Sequence, residues 1–217
     1  MRSLINIEKT SILLVEGKDE VNFFDMLLKF LNIPNVQCID VCGVDNFGNG
    51  FVTLSKQEKF RDVDKIAFIR DADKRAESAL KSLKSSVRSA NVRFINIDDI
   101  SLANNNNVKD TNGVRCGVYI MPDNQNSGML EDLCIKYMKT DSICHCVEKY
   151  ISCVRNNGGK NGEKFEFENE SKSIIFSYLS TKLADSPSIG LAARQNVFDF
   201  NNKCFDGIKN FLLKMFS

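Results

Sequence analysis

SILLVEGKDE, residues 11–20, is the stretch from which the fold can be read. Ser11–Val15 is an unbroken apolar run that stops at Glu16-Gly17. A run without polar alternation suits a strand covered on both faces, as in a parallel sheet. Past Lys18, Phe24, Leu27, Leu28 and Leu31 fall at i, i+3, i+4 and i+7, which predicts an amphipathic helix over 18–32, with Pro34 as its stop signal. The pattern then repeats. Residues 36–42 (VQCIDVC) read as a strand ending at Gly43, 52–61 as a weaker helix and 65–70 (KIAFIR) as a third strand. Residues 74–90 form a helix with Ala76, Ala79, Leu80, Leu83 and Val87 inward and Lys74, Lys81, Lys84 and Arg88 outward. Residues 92–97 read as a fourth strand, the Asn-rich 104–112 as a surface loop, and 114–121 (VRCGVYIM) as a fifth strand closed by Pro122. This alternation predicts an α/β fold, a mostly parallel sheet flanked by helices.

The remainder is helical, over 128–138, 141–155, 171–183 and 202–216, with 156–170 (containing NNGGKNGE) as a flexible loop. The expected organisation is a core over 1–140 and a helical extension over 141–217 packed on it as one compact unit. The extension carries Ile174, Ile175, Tyr178 and Leu179, then Phe205, Ile208, Leu212 and Met215. Apolar stripes of that size must be buried, so any part left uncovered predicts a homodimer or partner surface.

Composition narrows the function classes. Lys+Arg 29 against Asp+Glu 28 gives a net charge of +1, which excludes a polybasic nucleic-acid binder and leaves room only for a local basic patch. Hydrophobic residues at 43% and charged residues at 26% are those of a globular chain. No apolar run approaches the ~20 residues that span a bilayer. MRSLINIEKT carries no readable leader. A soluble, cytoplasmic protein with no membrane partner is expected. The eight cysteines lack CxxC spacing and read as reduced thiols used as small hydrophobes. Cys134, Cys144, His145, Cys146 and Cys153 are the one grouping with soft-metal chemistry, but without the paired spacing of a zinc site.

Three places put carboxylates just past strand ends. Glu16 follows the first strand, with Asp19 and Glu20 opening the next helix. Asp71 and Asp73 follow the third, and Asp123 follows the fifth, with Glu131 and Asp132 in the helix beyond. In a parallel sheet all strand C-termini lie along one edge, where open α/β folds place their sites. Spaced two apart on extended backbone, Asp71 and Asp73 should point to one side and Arg70 away. Each acid alone has a capping or helix-dipole explanation. Carboxylates that converge, however, repel unless a cation sits among them. Magnesium, or manganese, has the matching preference for oxygen ligands. Two such ions would stabilise the attacking and leaving oxygens of phosphodiester hydrolysis.

VEGKDE at 15–20, with the DxD of IRDADK at 69–74, resembles the Toprim (Rossmann-like) domain of topoisomerases, primases, ribosomal-RNA maturases and the OLD (overcoming lysogenization defect) nucleases. The EGxxE form is most similar to the OLD nucleases. MPDNQNSGMLEDL at 121–133 is similar to a signature of small stand-alone Toprim proteins of bacteria and archaea, as are SKSIIFSYLSTKL, PSIGLAA and the closing aromatic helix. The resemblance implies a general acid/base role for Glu16 and metal binding by Glu16, Glu20, Asp71 and Asp73, with help from Asp123 or Glu131. It also implies a catalytic Lys172 near the scissile phosphate, nucleic acid as substrate, and an ABC-type ATPase partner in a defence or repair system. The near-neutral charge agrees with substrate delivery by such a partner. The rival expectation is a non-catalytic Toprim module that binds metal, nucleotide or a protein. Too little chain remains for the companion domains of a topoisomerase or primase. GVDNFGNG at 43–50 lacks the Lys of a phosphate loop, and the stripe Lys74, Lys81, Lys84, Arg88 reads as a solvated helix face.

Overall fold

A computed structural model describes residues 6–41, 47–92, 95–103, 106–159 and 163–217. The expectations attached to Cys42 and Gly43 lie outside the described residues. Strand β1 (Ser11–Val15) has parallel neighbours on both sides, β2 (Val36–Asp40) and β3 (Lys65–Asp71). Ile12, Leu13, Leu14 and Val15 are all fully buried, which is why this strand carries no polar alternation. Beyond β3 lie β5 (Val114–Met121), parallel, and β4 (Val108–Thr111), antiparallel at the edge, so the order is β2-β1-β3-β5-β4.

The side-chain period of two sorts the core into two layers. Leu13, Val15, Ala67, Ile69, Tyr119 and Met121 face α1 (Lys18–Phe30) and the helices of the second half. Ile12, Leu14, Ile66, Phe68, Val118 and Ile120 face α2 (Phe47–Ser55) and α3 (Ala76–Ser89). The crossovers thus leave β1 and β3 on opposite faces of the sheet. Between two adjacent strands whose crossovers diverge, a crevice opens at the C-terminal edge, and ligand sites of open α/β sheets fall there.

The second half adds α4 (Leu130–Met138), α5 (Cys144–Asn157), α6 (Glu170–Leu179), α7 (Ile189–Arg194) and α8 (Asp206–Phe216) to the α1 face. Phe205, Ile208, Phe211, Leu212 and Met215 are buried within the chain. The closing stripe is therefore covered by the sheet and its neighbours. Helix α8 comes down on Gly117 of β5, where a Cβ would stand 2.7 Å from Met215 Sδ and 3.1 Å from Phe211 Cε2.

Several elements depart from the sequence reading. The expected strand over 92–97 is absent: Val92 and residues 95–97 have no strand conformation, and 93–94 lie outside the described residues. Ile95, Ile97 and Ile100 are apolar because the connection runs buried against α2 and α3, where an apolar loop mimics a strand. The expected surface loop over 104–112 contains β4 instead. Its hairpin to β5 turns on Asn112 (φ 54) and Gly113 (φ 81), the Asn-Gly pair that a two-residue primed turn requires. That signal stood in the sequence, hidden by the asparagine run before it. The helix expected over 52–61 begins earlier, at Phe47, and gives way to a 3-10 turn at Glu58–Asp62.

Candidate active site

Glu16 stands one residue past β1, and the parallel register sets its neighbour. The offset of 54 residues that pairs Leu14 with Phe68 places Glu16 beside Arg70. Arg70 Nε donates to Glu16 Oε1 at 3.0 Å, and the Asp71 amide lies 3.4 Å from the same oxygen. Arg70 is 4% exposed, with its guanidinium over the Phe47 ring at 5.0 Å. Arg70 points to the face opposite Asp71, as alternation along β3 predicts, and Glu16 shares its face. Burial pushes the Glu16 carboxyl up, although Arg70 and the Asp71 amide pull it down.

Asp71, on the opposite face, accepts the Leu130 amide on Oδ1 at 3.1 Å. It therefore caps α4 rather than the next helix in sequence. Burial raises its carboxyl well above the usual range, and the charges of Glu16, Glu131 and Glu20 add to the effect. Glu20 folds back over Gly17, where a Cβ would stand 2.9 Å from Oε2. A glycine between the two glutamates thus lets the second occupy the mouth of the loop. Burial, then the Glu131 and Glu16 charges, push Glu20 up to about 7 despite a backbone hydrogen bond.

Glu131, in the first turn of α4, is 9% exposed and raised chiefly by burial. Lys172 Nζ stands 3.9 Å from its Oε1. Two bonds place that lysine: Asn169 caps α6 by accepting the Lys172 amide, and Ser171 Oγ donates to Asp132 Oδ1 at 2.7 Å. Asp132 Oδ2 in turn accepts the Met129 amide at 2.8 Å. The edge therefore gathers Glu16, Glu20, Asp71, Glu131 and Lys172 from four separate segments.

Among the described residues, no three His, Cys, Asp or Glu side chains stand as a ready-made metal set. The donor chemistry nevertheless fits a hard divalent cation: all are carboxylates, desolvated and mutually repelling. The cysteine–histidine grouping brings no such set together. Cys146 Sγ lies 3.3 Å from His145 Nε2, while Cys134 is buried apart.

Residues 10–217 match the family described as a protein of unknown function, DUF3226. The chain belongs to that family. No curated protein matches it. Among solved structures, the C-terminal region of the Xanthomonas campestris pv. campestris OLD protein is similar, at 13% identity over 87% of this chain and 80% of that one, with a TM-score of 0.38.

Three further acids of the DUF3226 chain are engaged differently, although the Asp73 charge adds to the rise at Glu16 and the Asp19 charge to those at Glu20 and Glu131. Asp19 accepts the amides of Ile189 and Gly190, at 3.0 and 2.9 Å, and so caps α7. Asp123 accepts the Gln125 and Asn126 amides, Asn126 Nδ2 and Lys136 Nζ. Those partners outweigh its partial burial and hold its carboxyl down at about 2. Asp73 is not on extended backbone: its φ is 50, and it bridges to Gly128 with its side chain exposed. The extended backbone on which the same-side reading of Asp71 and Asp73 rested is therefore absent, because β3 ends at Asp71. Arg70 is the participant that sequence reasoning missed. A cation closing an otherwise apolar strand, in register with a glutamate on its neighbour, was the available signal.

Proposed function

We propose that this protein is a Toprim-type, divalent-metal-dependent phosphodiesterase acting on nucleic acid. The observation that carries the reading is the desolvated carboxylate group of Glu16, Glu20, Asp71 and Glu131 at the β1–β3 edge, with the Lys172 cation against it. Groups that raise one another's pKa in this way are costly, and functional sites are where such costs are retained. Glu20, Asp71 and Glu131 would hold the cation, with Glu16 at the rim. When bound, a magnesium or manganese ion supplies charge neutralisation and Lewis acidity at a phosphoryl oxygen. Lys172 places positive charge where the phosphoryl group gains negative charge. Arg70 keeps Glu16 at the edge, and the Asp71 cap on α4 fixes Glu131 beside it. Asp123 and Asp73 stand outside the proposed ligand set, the first because its oxygens already have partners and the second because β3 has ended.

The test is cleavage of labelled DNA and RNA with magnesium or manganese. Wild type should cleave and Asp71→Asn should not, with both folded. A second reading is a non-catalytic module that binds metal or a partner. It is favoured by one observation: Glu16 and Asp71 are already engaged by Arg70 and the Leu130 amide. Manganese binding without cleavage of either polymer, alone or with an ATPase partner, would select it.

A further inference from the structure

A second feature adjoins the carboxylate edge. Asp73 and Gly128 exchange both backbone hydrogen bonds, each at 3.0 Å. This holds Lys74 and Arg75 side by side with the loop that leads into α4. Between them lies a groove of about 630 Å³ lined by Lys74, Arg75, Glu77, Asn124, Gln125 and Ser127, among others. Lys74 and Arg75 are exposed and have no ion-pair partner among the described residues. Glu77 is the one acid in the lining.

The far wall is held in place by its own bonds. Asn124 Oδ1 accepts the Ile120 amide at 2.7 Å, so the nitrogen of that side chain keeps its N–H groups for a ligand. The four bonds to Asp123 fix the turn that carries Gln125 and Asn126. Two other cations of the α3 stripe are used internally, while Lys81 is exposed outside the groove's lining. Lys84 donates to the carbonyls of Asp98 and Ile100, and Arg88 pairs with Asp98.

We infer that this groove binds the phosphodiester backbone of a nucleic-acid strand beside the phosphate presented to the carboxylate edge. Two free cations and several neutral donors on a fixed wall suit a phosphate run, and they offer no closed pocket for a base. The groove also explains how a chain of net charge +1 could engage a polyanion at one place. The inference rests on the proposed function for its choice of ligand, but its test does not need cleavage.

Binding of a short fluorescent single strand, as DNA and as RNA, is measured by anisotropy in chelator across a salt series. Wild type should bind with a clear salt slope. Each phosphate contact to a single strand contributes about 0.7 to that slope, so Lys74→Gln with Arg75→Gln should lower it by about 1.4. Glu77→Gln should tighten binding, and because it gains affinity it cannot be mistaken for misfolding. No binding by wild type, or an unchanged slope in the double variant, overturns the groove even if cleavage is seen. Binding that follows the groove variants without any cleavage keeps the groove and removes the phosphodiesterase.

Discussion

At the scale of single residues, the Glu16–Arg70 contact shows how an acid can sit at an edge without a cation from solution. The pair is buried, with side-chain exposures of 10% and 4%. Removing one partner strands the other. Arg70→Met should cost about 3 kcal/mol at pH 8 and less at pH 5, because burial already raises the Glu16 carboxyl and losing Arg70 makes its protonation easier still. Urea unfolding at the two pH values checks this. Glu20 gives a pH dependence of definite sign. Its carboxyl lies at about 7 when folded, against 4.5 ordinarily, so the folded state resists ionisation. The stability this group contributes is complete below pH 4.5 and is lost as pH rises through 7. Asp123, held down at about 2, acts in the opposite direction, losing stability as pH falls through that value. In chelator these two groups therefore place the maximum of stability at about pH 4. At pH 8 Glu20→Gln should stabilise it by about 2 kcal/mol, after allowance for partial exposure. A loss of stability at pH 8 in that variant would contradict the assigned burial.

Among elements, the decisive junction is between α4 and α6. Ser171 donates to Asp132, which also closes the start of α4, and the next residue is Lys172. Ser171→Ala should cost only about 1 kcal/mol in stability, the worth of one hydrogen bond. If Lys172 acts on the phosphate, the same change should lower the cleavage rate well beyond that loss, because misplacing a charge by an ångström is costly in a preorganised site. Lys172→Met should lower kcat and leave the melting temperature unchanged. Equal rates in wild type and both variants would remove Lys172 from the chemistry. Elements were legible where one period governed them. The apolar run of β1 and the 3.6-residue pattern of α1 both came through. The buried connection over 95–100 did not, since burial makes a loop as apolar as a strand.

For the whole molecule, the second half closes one layer of the core, and Gly117 is the point where its last helix meets the sheet. Gly117→Val would drive a side chain into Met215 and Phe211 and should destabilise the fold by about 1–3 kcal/mol. A melting curve, with circular dichroism to confirm native helix content, measures it. A divalent cation should do the reverse. A ligand that binds only the folded chain adds about 2.7 kcal/mol at a hundredfold excess over its Kd. Magnesium or manganese should therefore raise the melting temperature of wild type and leave Asp71→Asn unmoved. A matching rise in both would place the ion elsewhere.

The sequence by itself determined the alternation of strand and helix, and with it the edge on which Glu16, Asp71 and Glu131 had to lie. Periodicity and strand-end position are local properties, and a parallel sheet aligns its strand ends without further information. Only the tertiary structure decided what each acid does there. Asp71 caps a helix that begins 59 residues later, Asp19 one that lies 170 residues away, and Glu16 meets Arg70 across 54. Asp123, a similar acid at a similar strand end, is drawn into its own turn and paired with Lys136. Whether a carboxylate is left desolvated or satisfied depends on which distant amide or cation packs against it, and no local pattern in the chain encodes that choice.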